Sequence, residues 1–472
     1  MAYDSRSSAK NHPKISAVEQ TSDTLTSRAG LLLFARYIDK IGLARFTDRW
    51  FADIRKNRKG ASASECLRQI LLFFIDGTSR HLTRFDDLKQ DPGYAATIER
   101  RGEDLISSHA VKRFIGNFSF GRIWLLRKLL QEIFIWRLCL EKPKVIILDL
   151  DVMVLDNDDA PKREGVEPTY KKVKGFAPLQ MVYKRTIIDA VLRAGHHHSN
   201  HKESTGKMVT YMVSLIRRRY DQNVPIVIRQ DTGYFDQKLF TLYEKINVGY
   251  LCGGKLYKNI KQYVGDCPAG QWRTHRNKQQ EWIYLEFGDK RGSWKRLRRA
   301  LFCRPAYEDR QRLLEFARPD TLIYTNIGTG DRIDTLLRDA GYENLLDAGS
   351  LLGCYHGRGF DELVHRALKD FMAEQLPFKG FRQNTVFYYT ALIAFALFEA
   401  FKADVCDSVI PVTAYPTTLR RYLVDVAGKI VKHGGRIVMK VTAAVMTRLR
   451  FDVLWDKCTS PPPIPPLPNF DS

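Results

Sequence analysis

The sequence predicts an α/β protein in which an all-α segment precedes a strand-rich core. Apolar residues recur with a helical period through residues 30–140, and at Lys142-Pro143 the pattern changes to the alternation of a strand. Strand and helix patterns then alternate as far as Cys252, where a polar, basic and aromatic stretch interrupts them.

Residues 1–29 are polar and Ser/Thr-rich and read as a loose tail, without the apolar run behind a basic start that marks a secretory signal. Leu67, Ile70, Leu71, Phe74 and Ile75 fall at i, i+3, i+4, i+7 and i+8, a helical stripe that stops at Gly77. Ser108 is placed to cap a helix that starts at Ala110. A second long helical pattern covers 121–137 and carries Trp124 and Trp136. Residues 145–152 read as a strand with Val145, Ile147, Asp149 and Asp151 on one face, so two acids share it. Segments 181–183 and 186–192 flank Lys184-Arg185 as a hairpin. Met208, Tyr211, Met212, Leu215 and Ile216 predict a helix, 224–231 a strand, 235–246 a helix and 249–252 a short strand. Three strands in antiparallel succession followed by alternating helix and strand is the order of the ribonuclease-H-like fold.

Residues 255–320 read as a basic, β-rich inserted subdomain with Trp272, Trp282 and Trp294 and the cations Lys290, Arg291, Lys295, Arg296, Arg298 and Arg299. A strand resumes at 321–327, and helices run from Tyr355 through the apolar segment 386–401. That segment has 16 residues, including Thr390 and Glu399. It is shorter than the ~18 to 20 needed to span a bilayer, so it reads as a buried core helix and no membrane partner is expected. The expected organisation is a tail over 1–29, a helical N-terminal DNA-binding domain over 30–140, and the first part of the core over 141–254. The insertion at 255–320, the rest of the core at 321–402, and a basic helical region with a Pro-rich tail at 403–472 complete it. In that last region Arg420, Arg421, Lys429, Lys432, Arg436 and Lys440 recur at helical spacing as cations for a polyanion.

Composition limits the function. With 75 Lys and Arg against 53 Asp and Glu, the net charge of +22 points to a polyanion, and 44% hydrophobic residues exclude wholesale disorder. The eight cysteines include no CxxC pair, which suits a reducing cytoplasm and speaks against a zinc site. His196-His197-His198, with His201 nearby, reads as a polar loop close to DNA rather than a metal tract.

Three acids stand at positions that suit chemistry: Asp151 near the end of the first core strand, Asp231 at the end of a later one, and Glu362 on a downstream helix. Two-metal phosphoryl transfer needs carboxylates that hold two divalent cations ~3.5 to 4 Å apart, and Mg²⁺ prefers such oxygen donors, with Mn²⁺ able to substitute. Asp149, two residues earlier on the same face, is the alternative first acid. Tyr355, Arg358, Glu362 and Lys369 follow at intervals of 3, 4 and 7, which on one helix would align them along a single face.

That spacing matches the Y-(2)-R-(3)-E-(6)-K signature of bacterial insertion-sequence transposases with a DDE site, and the chain most resembles their insertion sequence 1380 family. Leu148-Asp149-Leu150-Asp151 resembles the family's first-acid motif, and Arg229-Gln-Asp231-Thr-Gly-Tyr-Phe235 its second. Lys174-Gly175-Phe176-Ala177-Pro178-Leu179, Leu192-Arg193-Ala194-Gly195, Asp76-Gly77, Phe85-Asp86-Asp87-Leu88, Asp91-Pro92 and Gln383-Asn384 extend the likeness over most of the chain. The resemblance implies that Asp151, Asp231 and Glu362 carry two Mg²⁺ ions. It also implies that Tyr355, Arg358 and Lys369 contact phosphates at the element's end. Trp294, Arg298 and Arg299 of the insertion are further candidate DNA contacts, with core packing the favoured reading for any single tryptophan.

The activity so implied is cut-and-paste transposition in the bacterial cytoplasm, by a homodimer in a synaptic complex with double-stranded DNA, both terminal inverted repeats and target. The alternatives are an inactive, element-derived DNA-binding protein and a ribonuclease-H-like nuclease that cuts without joining.

Overall fold

The computed structural model describes residues 15–54, 60–197, 203–276, 281–306 and 320–466. A short strand β1 (Thr24–Thr26) leads into helices α1 (Leu31–Lys40), α2 (Leu43–Phe51), α3 (Ala63–Asp76), α4 (Arg84–Lys89), α5 (Pro92–Thr97), α6 (Ser108–Gly116) and α7 (Phe120–Glu141). Strands β2 (Ile146–Val152), β3 (Leu155–Asp156), β4 (Glu167–Pro168), β5 (Lys174–Phe176), β6 (Leu179–Tyr183) and β7 (Thr186–Val191) follow. Then come α8 (Ser204–Arg219), β8 (Ile226–Gln230), α9 (Gln237–Lys245), β9 (Gly249–Gly253), α10 (Lys258–Asp266), β10 (Arg273–Arg276), β11 (Glu281–Asp289), β12 (Arg298–Pro305) and β13 (Thr321–Thr325). The last elements are α11 (Arg332–Asp339), α12 (Ala348–His356), α13 (Phe360–Met372), α14 (Phe381–Phe401), α15 (Pro416–Leu419), β14 (Gly428–His433), β15 (Arg436–Lys440), α16 (Ala443–Leu449) and α17 (Phe451–Thr459).

The protein is mixed α/β around a large mixed sheet, ordered β10-β11-β12-β13-β9-β8-β2-β6-β7 among the described residues. β2 pairs β6 antiparallel and β8 parallel, and β9 runs parallel to β8. The patterned segments between residues 145 and 252 form strands and helices where periodicity places them. The segment 255–320 does not stand apart as a separate subdomain. β12 hydrogen-bonds to β13 and β11 to β12, so the same sheet simply continues outward.

The helical core forms around α14, which is apolar on every side and buried from Asn384 to Phe401. The helix Phe381–Cys406 is long and apolar enough to cross a membrane, and its most apolar window is almost wholly buried in the protein. α14 packs against α3 and α7, and α7 is tied to the sheet by Arg127, which holds the fully buried Asp189 through two 2.6 Å hydrogen bonds.

Three expectations fail for physical reasons. The cap of α6 is Ser107, whose hydroxyl accepts from Ala110 N at 3.3 Å, because Ser108 is drawn to Asp86 at 2.6 Å. The C-terminal region is not wholly helical: residues 428–440 form a β-hairpin that β1 extends. Arg420 is no part of a basic surface, being buried against the ends of α3 and α13, where it donates to the carbonyls of Phe74, Ile75, Asp370 and Phe371.

Candidate active site

The parallel pairing of β2 with β8 brings two acids to one edge of the sheet. Leu150 is in register with Gln230, so Asp151 and Asp231 follow as neighbours at the carboxyl ends of adjacent parallel strands. Clefts at such strand ends are where open α/β sheets bind ligands. Both side chains are half-buried. Asp151 accepts from the Val152 amide at 2.7 Å, and Asp231 caps a short turn by accepting from Gly233 N at 2.8 Å.

Burial pushes the Asp151 carboxyl above its ordinary value and Glu362 adds to this, while the Val152 amide, Arg358 and Lys171 pull the other way. Burial also raises Asp231, and the charge of Asp151 raises it further against Arg358 and the Gly233 amide. The two acids, Glu362 and Arg358 therefore share one electrostatic neighbourhood. Among the described residues no three His, Cys, Asp or Glu side chains come together as a complete metal site. The donor chemistry nevertheless fits a hard divalent cation: two half-buried carboxylates oppose each other's ionisation, and an exposed third, Glu362, acts on one of them.

Asp149 is occupied elsewhere. Its carboxylate is buried and takes two 2.6 Å hydrogen bonds from Arg229, which also donates to the Cys354 carbonyl at 2.6 Å. Asp151, by contrast, shares its electrostatic neighbourhood with Asp231, Glu362 and Arg358.

Tyr355, Arg358, Glu362 and Lys369 do not lie along one helix face. α12 ends at His356, Arg358 sits in the 3-10 turn Gly357–Gly359, and α13 carries Glu362 and Lys369. Tyr355 is 8% exposed and burial pushes its phenol up to about 12, so it stays protonated. It approaches the sheet at Gly253, where an added Cβ would lie 2.8 Å from the Tyr355 hydroxyl and 2.7 Å from Thr232 Oγ1. Only glycine admits that approach. Lys369 donates to Glu374 at 2.7 Å and remains partly exposed.

Of the insertion residues, the tryptophan takes the packed place and the two arginines are paired within the protein. Trp294 is 6% exposed, packed on Phe235, Phe240 and Tyr324 with the Arg298 guanidinium 4.8 Å from its ring centroid. Arg298 is buried and paired with Glu244 at 3.0 Å. Arg299 donates to Glu286 and to the carbonyls of Ile327 and Leu346. These three side chains hold the sheet and its flanking elements together, Trp294 and Arg298 buried and Arg299 half-buried. Of the histidine tract, His196 pairs with Glu167, while His198 and His201 lie outside the described residues.

The structure adds residues that periodicity did not mark. His365 Nδ1 lies 3.7 Å from Asp151 Oδ2, and burial, with Lys171 and Lys369, lowers it to about 4, so it is neutral near pH 7. Its place three residues after Glu362 was the available signal. Tyr170 donates to the Val152 carbonyl at 3.0 Å, and exposed Lys171 acts on both Asp151 and His365.

A cryo-EM structure of a piggyBac transposase synaptic complex with hairpin DNA is similar at 13% identity and a TM-score of 0.29, covering 86% of this chain and 87% of that one. No curated protein matches. Residues 7–458 match the family described as Transposase DDE domain group 1. With nearly its whole length inside that match, the chain belongs to the group 1 DDE transposases and is a transposase enzyme.

Proposed function

We propose that the protein is a cut-and-paste DNA transposase of the insertion sequence 1380 family, in which Asp151, Asp231 and Glu362 hold two divalent cations, Mg²⁺ or in its place Mn²⁺. The observation that carries this is the pair Asp151 and Asp231 at the ends of adjacent parallel strands, each carboxyl raised by burial and Asp231 further by its neighbour. The strand order β7-β6-β2-β8-β9, antiparallel and then parallel, supports a ribonuclease-H-like core.

Bound cations would stabilise charge on the attacking and leaving oxygens of an in-line displacement. The chain's own residues do the rest. Arg358, which acts on both acids, offsets the charge of the phosphate undergoing cleavage, and Lys171 and Lys369 place further positive charge at the rim. Tyr355 keeps its proton and is a donor at the sheet edge. Arg229 keeps Asp149 out of the donor set. The substrates are duplex terminal repeats and target DNA, held by a homodimer in the bacterial cytoplasm, and the surplus of cations supports a polyanionic partner.

The test is incubation of the full-length protein with Mg²⁺, a duplex carrying the element end and a supercoiled target. Nicks exposing a 3′ hydroxyl at the element end, followed by joined products, are expected. Nicks without joining would favour a nuclease, and binding with neither product would favour an inactive DNA-binding protein.

A further inference from the structure

The hairpin of β14 and β15 leaves the body of the protein. Residues 432–438 are all exposed. The strands are joined by Gly434 and Gly435 at φ 57° and 75°, the left-handed pair that a tight two-residue turn requires. A Cβ added at either glycine would meet nothing within 4 Å, so the tip projects into open space.

Its charge is one-sided in sign. Residues 426–451 contain no Asp or Glu and carry Lys429, Lys432, Arg436, Lys440, Arg448 and Arg450. Lys429 stands opposite Lys440 and His433 opposite Arg436, an arrangement that is unfavourable in a sheet without a compensating anion. Asp23 offsets Lys429 at 2.8 Å. Among the described residues Lys432, Arg436 and Lys440 have no carboxylate partner. Ile430, Ile437, Val438 and Met439 line a cavity with Leu32 and Trp455, so the ribbon is anchored on the body along its base.

β15 is an edge strand, and lysines on an edge commonly serve only to prevent strand pairing. That explanation does not cover Ile437 or Val438 on the same edge, which stand at the rim of that cavity and still leave 70% and 40% of their surface in solvent. Cations alternating with exposed aliphatic groups on a projecting two-stranded ribbon suit a DNA groove, where phosphates take the charges and base edges, including thymine methyls, take the apolar groups. A B-form major groove, about 12 Å wide, admits such a ribbon.

We propose that the β14–β15 hairpin is a DNA-binding ribbon that seats in the major groove of duplex DNA, with Lys432, Arg436 and Lys440 on the backbone phosphates. It rests on the reading of the protein as an enzyme acting on DNA, and it adds a contact surface remote in sequence from the three acids.

The test is binding of the full-length protein to a labelled duplex across a salt series, for wild type and the triple variant Lys432→Ala, Arg436→Ala, Lys440→Ala. At ~0.9 per phosphate contact, loss of three makes the slope of log affinity against log salt shallower by about 2 to 3, and affinity near physiological salt falls at least about tenfold. The melting temperature stays the same, because all three side chains are exposed. The charge-preserving variant Lys432→Arg, Lys440→Arg keeps the wild-type slope. A triple variant with wild-type slope and affinity would overturn the ribbon while leaving the transposase reading intact, and a wild type that binds no duplex would overturn both. Equal loss of binding to polyglutamate, single-stranded RNA or phosphatidylserine vesicles would overturn the assignment to duplex DNA.

Discussion

Arg229 grips Asp149 through two parallel 2.6 Å hydrogen bonds and spends a third donor on the Cys354 carbonyl, 2.6 Å away at the end of α12. One side chain thus engages Asp149 in a buried ion pair and fastens the segment bearing Tyr355 and Arg358 to the sheet.

Substitution of the two acids should therefore have opposite signatures. Asp149→Ala strands a largely buried guanidinium, which costs about 3 to 5 kcal/mol when one partner of a buried pair is removed. Asp151→Asn removes a carboxyl that burial disfavours as an anion, so stability in the absence of divalent cations holds or rises while cleavage is lost. Chemical denaturation and a nicking assay on both variants check this; a stable Asp149→Ala protein without activity would exchange the assignments.

The raised carboxyls also set a pH dependence. A carboxyl with a folded value above its unfolded one contributes stability below the unfolded value, near 3.8 here, and loses it as pH rises through the folded value. Without divalent cations, wild type should lose stability relative to Asp151→Asn, Asp231→Asn as pH rises above 3.8. Mg²⁺ at neutral pH should reverse the difference, by about 2.7 kcal/mol at a hundredfold excess over Kd, and leave the double variant unmoved. Melting curves with Mg²⁺ and with a chelator measure both effects.

Lys171 is exposed and acts on Asp151 from the loop above the acids. Lys171→Ala should leave the melting temperature unchanged, make the salt slope of DNA binding shallower by about 1, and slow cleavage several-fold. An unchanged slope would remove it from the DNA contact surface.

Arg420 carries no such role. Arg420→Met leaves the carbonyls at the ends of α3 and α13 without their donor and should destabilise the fold by about 3 kcal/mol, read as a lower denaturation midpoint. The specific activity of the protein that remains folded should not change.

Local periodicity made the helix at Leu67–Ile75, the β2 strand and the β6–β7 hairpin legible, because each is largely buried and its apolar spacing keeps the period of the element. The neighbouring acids were legible for the same reason: strand order places Asp151 beside Asp231. What escaped was set by distant partners. Asp86 takes Ser108 from its capping position, and Glu244 draws Arg298 into the core beside Trp294. Gly357 and Gly359 break the face that the spacing from Tyr355 to Lys369 suggested. The C-terminal hairpin had a local signal, alternating residues around Gly434-Gly435, which the helical recurrence of cations obscured.

The central claim is that Asp151, Asp231 and Glu362 act as one catalytic set. Its most direct test is Mg²⁺-dependent nicking of an end-bearing duplex by Asp151→Asn, Asp231→Asn and Glu362→Gln, with duplex binding measured on the same preparations. Each variant is expected to bind DNA within about twofold of wild type and to leave the strand uncut, since removal of any one donor disables the two-cation site. Wild-type nicking by any of the three would contradict the assignment.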